Sequence, residues 1–347
     1  MQLFDAHLDL SMNAVEWNRD LSRPLADVRR DEAHLTDKRD RGRGTVTLPE
    51  MRRAEITMCV ATLIARVEMN AWSPVAGWRS QAQAWAITEG QLAWYRAMEE
   101  AGLMRCIRTR ADLDKESDAL GYVLSLEGAD SLVTLAHLER RYAAGLRAIG
   151  PAHYGPGVYA NGTDASGGFA EKGRELLREI GRLGMILDAT HLCDHCFWEA
   201  LGLFSGPVWA SHHNSRALVP HNRQLSDEMF RALIERGAVV GVALDAWMIV
   251  PGWERGKTTP QSSGVVLAHL ADHIDHFCQL AGNAAHVGIG SDLDGAFGTE
   301  QTPQDLESIA DLQKLSGILA GRGYSTADIA GIFAGNFLRF LRAALPE

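Results

Sequence analysis

The chain has 347 residues, of which 46% are hydrophobic, and its 34 Lys and Arg against 44 Asp and Glu give a net charge of −10. This hydrophobic share is that of a globular protein and excludes a disordered or collagen-like chain. An acidic chain also argues against nucleic acid as the main partner, because phosphate backbones are bound by basic surfaces. The 13 histidines raise the question of a metal site, which composition alone does not answer.

The first residues, MQLFDAHLDLS, contain neither a basic segment nor a long apolar segment. We therefore predict no signal peptide. The longest apolar runs, such as residues 56–65, are shorter than the roughly 20 residues that a membrane-spanning helix requires. Five cysteines at scattered positions fit a reducing compartment better than a disulfide framework. These features predict a cytoplasmic protein that makes no membrane contact.

Eight short apolar runs, each followed by polar residues, recur along the chain. Helical patterns lie between them, and strands that alternate with helices are typical of βαβ units and a parallel sheet. The runs are residues 3–9, 55–64, 122–127, 146–154, 185–191, 207–213, 238–244 and 286–292. The helical patterns include residues 80–100, 169–183, 194–203, 226–236 and 264–281.

Eight such units predict an α/β fold, a distorted (β/α)8 TIM-like barrel with a helical C-terminal extension over residues 303–347. A doubly wound sheet is the alternative, but it usually carries a glycine-rich phosphate loop after the first strand. This chain reads HLDLS at that place. At about 150 residues per domain, the length of the chain would suggest two domains. The repeated units instead predict one metal-dependent hydrolase domain over residues 1–347.

Polar side chains stand at the ends of most of these runs. The carboxyl ends of barrel strands converge on one face, where active sites are built. Imidazole and carboxylate groups suit zinc and related divalent ions, and a carboxylate can bridge two of them. The residues are His7 and Asp9 after the first run, Glu127 after the third, His153 after the fourth, His191 after the fifth, His212 after the sixth and Asp292 after the eighth.

Each candidate ligand also has a purely structural interpretation. His7 and Asp9 have the period of two that places side chains on one side of a strand, but such tripeptides are common. Glu127 precedes a glycine and could cap a helix, whereas His191 and His212 could be hydrogen-bonded core histidines. The placement of these five residues at the ends of four separate strands favours a metal site over these alternatives.

Three further residues would complete a hydrolytic site. Asp292 could take a proton from metal-bound water and pass it to a leaving amine, although it could also be a turn residue. His153 could polarise a carbonyl or stabilise an oxyanion. Arg223 precedes a helix after the sixth run and could bind a carboxylate, with a solvated loop arginine as the alternative.

Two other motifs predict no function. Cys193 and Cys196 form a single CxxC without a second one and without a thioredoxin-like strand before it. His269, His273 and His276 share one helix face, but a leucine stands where a zinc metalloprotease helix needs its glutamate. We expect these histidines to form a packed or solvated face.

With these residues identified, the sequence resembles the renal (membrane) dipeptidase family of zinc metallopeptidases, a branch of the amidohydrolase superfamily. The matching segments lie in the family's order over nearly the whole chain: FDAHLDL, LSLEGAD, LRAIGPAHY, ILDATHL, ASHHNSRAL, NRQLSDE, HVGIGSDLDG and GNFLRFL. The resemblance implies that His7, Asp9 and Glu127 hold one metal ion. Glu127 would bridge to a second ion that His191 and His212 also hold.

The same resemblance implies roles for the other three residues. Asp292 corresponds to the catalytic acid/base, His153 to the carbonyl-binding histidine and Arg223 to the ligand of the substrate's C-terminal carboxylate. The implied activity is hydrolysis of dipeptides by a hydroxide that bridges two divalent ions, which we expect to be Zn²⁺. The sequence leaves open whether a C-terminal D-residue is accepted.

Two alternatives remain at this point. Another amidohydrolase, such as a lactonase, a phosphotriesterase-like enzyme or an N-acyl amino acid deacylase, commonly uses HxH on the first strand and a carboxylated lysine on the fourth. This chain has HxD in the first run and no lysine in residues 146–154. A binding protein that has lost catalysis fits less well, because every proposed ligand is present. Trp and Ala on residues 80–100 are compatible with a homodimer.

Overall fold

Parallel strands form a nearly closed barrel within residues 1–68 and 77–347, which are the residues that the computed structural model describes. All eight predicted strands are confirmed, and a ninth short strand and a two-stranded pair are added to them. The strands are β1 (Leu3–Leu8), β2 (Ile56–Ile64), β3 (Arg66–Val67), β4 (Gly77–Trp78), β5 (Met104–Cys106), β6 (Leu120–Glu127), β7 (Leu146–Gly150), β8 (Ile186–Asp188), β9 (Val208–Trp209), β10 (Val240–Val242) and β11 (Val287–Ile289).

The strand order follows the chain around the barrel. The order is β10-β11-β1-β2-β6-β7-β8-β9, with β5 paired to β6 and β3 paired to β4 in a separate sheet. A parallel bridge between Ala210 and Val240 brings the two ends of this order together. The predicted barrel is therefore confirmed, with the short β9 as the point where regular pairing is weakest.

Helices follow most of the strands, and each of the five predicted helical patterns corresponds to one helix of the structure. The helices are α1 (Leu10–Val15), α2 (Leu25–Glu32), α3 (Leu48–Arg53), α4 (Gln81–Glu100), α5 (Arg110–Asp114), α6 (Leu135–Ala143), α7 (Glu171–Arg182), α8 (Asp194–Leu203), α9 (Asp227–Glu235), α10 (Ala246–Ile249), α11 (Pro260–Ser263), α12 (Leu267–Ala281), α13 (Lys314–Gly321), α14 (Thr326–Ala330) and α15 (Asn336–Ala344). No helix in the described ranges combines the length and the apolar character needed to cross a membrane.

The C-terminal helix α15 contributes large aromatic side chains to the barrel core. Phe337 stacks on Phe4 of β1 with ring centroids 5.4 Å apart, and lies edge-on to Trp209 of β9 at 5.9 Å. Because β1 and β9 are not neighbours in the sheet, this ring fills space between them. The predicted helical extension is thus present, and its last helix packs against the strands.

Gly288 of β11 is required by this packing. A Cβ at this position would lie 2.5 Å from two atoms of the Phe337 ring. We expect Gly288→Ala to lower the free energy of unfolding by about 1–3 kcal/mol, because overpacking displaces the ring. Gly317→Ala in α13 is the control, since a Cβ there meets nothing within 4 Å. It should be neutral or add up to about 1 kcal/mol. Equal urea denaturation midpoints for the two variants would contradict this packing.

Candidate active site

A cavity of about 1000 Å³ opens at the carboxyl ends of the barrel strands. This volume is at the upper end of the range of roughly 300–1,000 Å³ usual for ligand sites. Seven of the eight residues predicted from the sequence line it, and the eighth, His7, contacts three of them. The lining members are Asp9, Glu127, His153, His191, His212, Arg223 and Asp292.

His7, at the end of β1, faces three carboxylates. Its Nε2 lies 3.7 Å from Asp9 Oδ1, 3.5 Å from Glu127 Oε2 and 3.8 Å from Asp292 Oδ1. Within the described part of the chain, this buried nitrogen has no hydrogen-bond partner. An unpaired imidazole nitrogen among carboxylate oxygens is a donor set that suits a divalent cation.

The other oxygen of Glu127 faces a second group of nitrogens. Oε1 lies 3.3 Å from His191 Nε2 and 3.4 Å from His212 Nε2, and these two nitrogens are 3.2 Å apart. His153 Nε2 lies 4.0 Å from the same oxygen. The two carboxylate oxygens of Glu127 therefore point into different ligand groups, which is the arrangement that a bridging carboxylate requires.

Electrostatics inside the cavity favours the metal-ligating forms of Glu127, His191 and His212, whereas His7 would have to release a proton to bind a metal. Burial would raise the pKa of Glu127, but His7 and His153 hold it well below its usual range. Burial opposes protonation of His7, yet Glu127 together with Asp9 raises the pKa of His7 to about 10. Burial holds the pKa of His191 well below its usual range, and His212 behaves in the same way. Neutral imidazoles beside an ionised carboxylate offer electron pairs to a cation.

Hydroxyl groups contact three of the candidate ligand histidines. Ser211 Oγ lies 3.4 Å from His7 Nδ1 and 2.9 Å from His212 Nδ1, and Thr163 Oγ1 lies 3.0 Å from His191 Nδ1. In each pair the hydroxyl oxygen can accept a hydrogen bond from the Nδ1–H group, and Nε2 then faces the cavity without a proton. These hydroxyls decide which nitrogen of each ring is available to a metal.

Two buried aspartates, which the sequence analysis did not select, hold the strand ends in place. Asp5 Oδ1 accepts hydrogen bonds from the backbone N–H groups of His7 and Ser291. Asp188 Oδ1 does the same for Thr190 and Ser211. The signal in the sequence is a single acid inside each apolar run, FDAHL and ILDAT, where strand burial leaves no place for an unpaired charge.

Two candidate site residues have left-handed backbone conformations. His191 has a φ of 66° and Asp292 a φ of 57°. This region is uncommon for residues other than glycine, and such strain clusters at functional sites. The predicted strands run on to these residues, whereas β8 and β11 end at Asp188 and Ile289. Each left-handed residue therefore lies in the loop beyond its strand, and its side chain lines the cavity.

Arg223 is buried against the cavity wall. Its side chain belongs to a residue only 1% exposed, and Nη2 donates to the backbone oxygen of His212 at 3.1 Å. Its Nε and Nη1 have no partner among residues 1–68 and 77–347. A buried guanidinium with unused donors is costly unless a ligand supplies the acceptors, so this residue is not a solvated loop arginine.

The motifs set aside in the sequence lie outside this cavity. His273 is buried in α12, where Nδ1 accepts from the backbone N–H of Ser215 and Nε2 donates to the oxygen of Ile249. Cys193 and Cys196 are free thiols whose sulfurs both contact the backbone oxygen of Gly167. The packed interpretation of His273 is confirmed.

The barrel and the cluster of histidines and carboxylates at its carboxyl ends have the form of a metal-dependent enzyme's site. Residues 1–345 match the family described as membrane dipeptidase, peptidase family M19. The chain belongs to this family, and it is accordingly an enzyme, a metallo-dipeptidase that uses divalent metal. The resemblance found in the sequence is confirmed.

Relatives in sequence include bacterial and fungal proteins. An uncharacterized protein from the pqqA 5′ region of Klebsiella pneumoniae is 30% identical over 253 residues, covering 70% of this chain and 89% of that protein. Dipeptidase tcpJ of Claviceps purpurea is 28% identical over 233 residues, covering 64% of this chain and 51% of that protein. Dipeptidase aclJ of Aspergillus oryzae is 30% identical, covering 63% and 50%. The matched region thus spans about half of each fungal dipeptidase.

Solved structures share the fold over the full length. The metallopeptidase called dipeptidase AC, of family M19, superposes with a TM-score of 0.82 at 22% identity, covering 100% of this chain and 99% of that chain. A metallopeptidase of Rhodobacter sphaeroides, crystallised with a phosphinate mimic of the dipeptide L-Ala-D-Ala, gives 0.79 at 22% identity, with 99% of each chain covered. At this identity the likeness establishes the barrel.

Proposed function

We propose that this chain hydrolyses dipeptides at a site for two divalent ions, and that these ions are Zn²⁺. The observation that carries the proposal is the position of Glu127, whose Oε2 faces Nε2 of His7 while its Oε1 faces Nε2 of both His191 and His212. His7, Asp9 and Glu127 would hold one ion, while Glu127, His191 and His212 would hold the other. Three imidazoles with two carboxylates form a donor set that suits zinc.

The donor atoms are close enough for this role. Among the described residues, the groups of three potential ligands with donor atoms within 4.8 Å of one another all come from this cavity. Bound there, the ions would supply Lewis-acid polarisation of the scissile carbonyl and a water of lowered pKa. The remaining steps of the reaction fall to side chains that reach the substrate.

Asp292 is the proposed acid/base. Burial raises the pKa of Asp292 well above its usual range, and the carboxylates of Asp9 and Glu127 add to this effect against that of His7. A carboxyl oxygen of Asp292 would take the proton that the attacking water loses and would donate it to the leaving nitrogen. A group that holds a proton in this environment is suited to returning it.

His153 is the proposed ligand of the scissile carbonyl. Burial lowers the pKa of His153 to about 3, although Glu127 opposes this shift. The ring is therefore neutral, and a ring N–H would donate to the carbonyl oxygen as negative charge develops on it. Its Nδ1 is buried and without a partner in the described part of the chain.

Arg223 would bind the free carboxylate of the substrate. A buried guanidinium with two unused nitrogens favours substrates that end one residue beyond the scissile bond. Longer peptides carry no charge at that position, so they would leave the guanidinium unpaired. Because the Rhodobacter sphaeroides protein was crystallised with a mimic of L-Ala-D-Ala, we include dipeptides with a C-terminal D-residue in the proposal.

A metal-removal experiment tests this function. We expect a chelator to abolish hydrolysis of L,L and L,D dipeptides, Zn²⁺ to restore it, and metal analysis to find two ions per chain. N-acetyl amino acids and lactones tested with the same sample represent the alternative amidohydrolases. Dipeptide hydrolysis that survives complete metal removal, or faster turnover of the alternative substrates, would show the proposal to be wrong.

Ser211 provides a separate test of the metal ligands. Ser211→Ala removes the hydroxyl that contacts both His7 Nδ1 and His212 Nδ1. We expect metal affinity to fall about 10–100-fold, because outer partners orient ligand histidines. Competition with a chromophoric chelator measures this affinity. Ser316→Ala removes a comparable hydroxyl that donates to the Gln313 oxygen in the C-terminal region, and it should leave affinity unchanged. Identical affinities in the two variants would contradict the orienting role.

A further inference from the structure

Arg255 lies in the loop between α10 and α11 and lines the same cavity as Arg223. Its guanidinium carbon lies 4.5 Å from the ring centroid of Trp247 and 5.8 Å from that of Tyr154. Its Nη2 donates to the Tyr154 hydroxyl at 3.1 Å. Two aromatic rings and one hydrogen bond therefore hold this cation in a defined position.

A chain of contacts links Arg255 to the backbone of Arg223. The Trp247 ring that supports it also packs edge-on against His221, with centroids 4.8 Å apart. His221 Nδ1 in turn accepts a hydrogen bond from the backbone N–H of Arg223 at 3.0 Å. Tyr154 directly follows His153, the proposed carbonyl ligand. Both Arg223 and Arg255 line the cavity in which the C-terminal residue of a dipeptide would lie.

Most donors of Arg255 are not used by the protein. The nearest carboxylate, Asp245, lies 3.8 Å from Nη2, too far for a hydrogen bond. The oxygens of Asp245 instead accept from Trp247 Nε1 at 2.6 Å and from Gln301 Nε2 at 2.8 Å. In the described ranges, the Tyr154 hydroxyl is the one hydrogen-bond acceptor of Arg255. The side chain is 43% exposed, so its remaining N–H groups are open to a ligand in the cavity.

The chemistry of this position fits a second carboxylate. A guanidinium that is stacked on aromatic rings loses little freedom when its planar fork binds a carboxylate. The cavity of about 1000 Å³ also leaves room for a long side chain beside the dipeptide backbone. A cation fixed in the same cavity as Arg223 is able to bind the side chain of the substrate residue whose main-chain carboxylate Arg223 would bind.

We infer that Arg255 makes this site selective for dipeptides whose C-terminal residue carries an acidic side chain. The inference rests on the proposed function, in which Arg223 binds the main-chain carboxylate of that residue. Arg255 would then bind the side-chain carboxylate of a C-terminal Glu or Asp through N–H groups that no other described residue occupies.

Kinetics with isosteric substrate pairs test this selectivity. We expect the zinc-loaded enzyme to have a kcat/KM for Ala-Glu about tenfold or more above that for Ala-Gln, since a hydrogen-bonded charge pair is gained. Arg255→Met should reduce this ratio to within about twofold of one, and Arg255→Lys should keep part of it. Arg231→Met is the control, because this arginine is exposed on α9 and does not line the cavity. Its ratio should equal that of the unmodified enzyme.

A reversed pair locates the selectivity within the substrate. Glu-Ala and Gln-Ala should be hydrolysed at similar rates, because the inferred contact belongs to the C-terminal residue. Equal rates for Ala-Glu and Ala-Gln in the unmodified enzyme, or a preference that survives Arg255→Met, would overturn the inference while leaving the dipeptidase function intact. Failure to hydrolyse any of these dipeptides would instead refute the proposed function. Since each ratio is measured within one preparation, a partly unfolded variant does not alter it. If Arg255→Met is inactive, the inference is tested by the ratio of kcat/KM for Ala-Glu to that for Ala-Gln in the unmodified enzyme and in Arg255→Lys.

Discussion

Glu127→Ala is expected to lower kcat/KM for dipeptides by about 10³-fold or more and to remove metal from both proposed positions. The reason is geometric, since one carboxylate oxygen lies 3.5 Å from His7 Nε2 and the other 3.3 Å from His191 Nε2. No other described carboxylate faces both ligand groups at these distances. A loss of several kcal/mol of transition-state stabilisation corresponds to about that decrease in rate.

Metal analysis and kinetics of the same preparation measure both effects. Glu127→Gln is the companion variant, because it keeps the side-chain volume and one oxygen while removing the charge. Glu116→Ala replaces an exposed glutamate and should retain full metal content and activity. If Glu127→Ala kept two ions per chain with normal turnover, the bridging role would be wrong.

Arg223→Met is expected to lower kcat/KM for dipeptides by about 10²–10³-fold, mainly through a higher KM. Truncating one partner of a desolvated charge pair costs a binding free energy that corresponds to this decrease in kcat/KM. The effect should depend on the substrate carboxylate. The unmodified enzyme should discriminate against a dipeptide amide by a similar factor, whereas Arg223→Met should treat the acid and the amide nearly alike.

This double comparison separates substrate recognition from general damage. A structural defect would lower the rates for the acid and the amide together, whereas loss of a carboxylate ligand lowers only the former. Arg231→Met, at an exposed position on α9, should preserve the preference for the free acid. If Arg223→Met still preferred the acid by about 10²-fold, another group would have to bind the carboxylate.

The site depends on residues that the strands bring together from distant parts of the chain. Asp9 follows β1, and its Oδ1 accepts a hydrogen bond from the Thr62 hydroxyl of β2. Glu127 ends β6, and β2 lies between β1 and β6 and pairs with both. Parallel register between neighbouring strands therefore sets the spacing of the proposed ligands. The proposed ligands can therefore lie close together although the later strands of the barrel have only two or three residues.

Much of this arrangement could be predicted from residue order alone. The apolar runs are local signals, because a buried parallel strand must be apolar on both faces. Parallel strands in a barrel point the same way, so a polar residue after each run must reach the same face. His7, Glu127, His191 and His212 could therefore be assigned to one site without coordinates. The exact strand ends could not be predicted, since His191 and Asp292 lie beyond their strands in left-handed conformations.

By itself, the sequence determined the barrel, the face that carries the site, and the residue types that can ligate metal, because periodicity and strand polarity are properties of order along the chain. Only the tertiary structure decided which atoms remain unpaired. The contacts of Ser211 with two candidate ligand histidines, the unused donors of Arg223 and the contact of Arg255 with Tyr154 depend on distances between residues far apart in sequence. Hydrogen bonding is short-ranged and directional, so no local pattern encodes it.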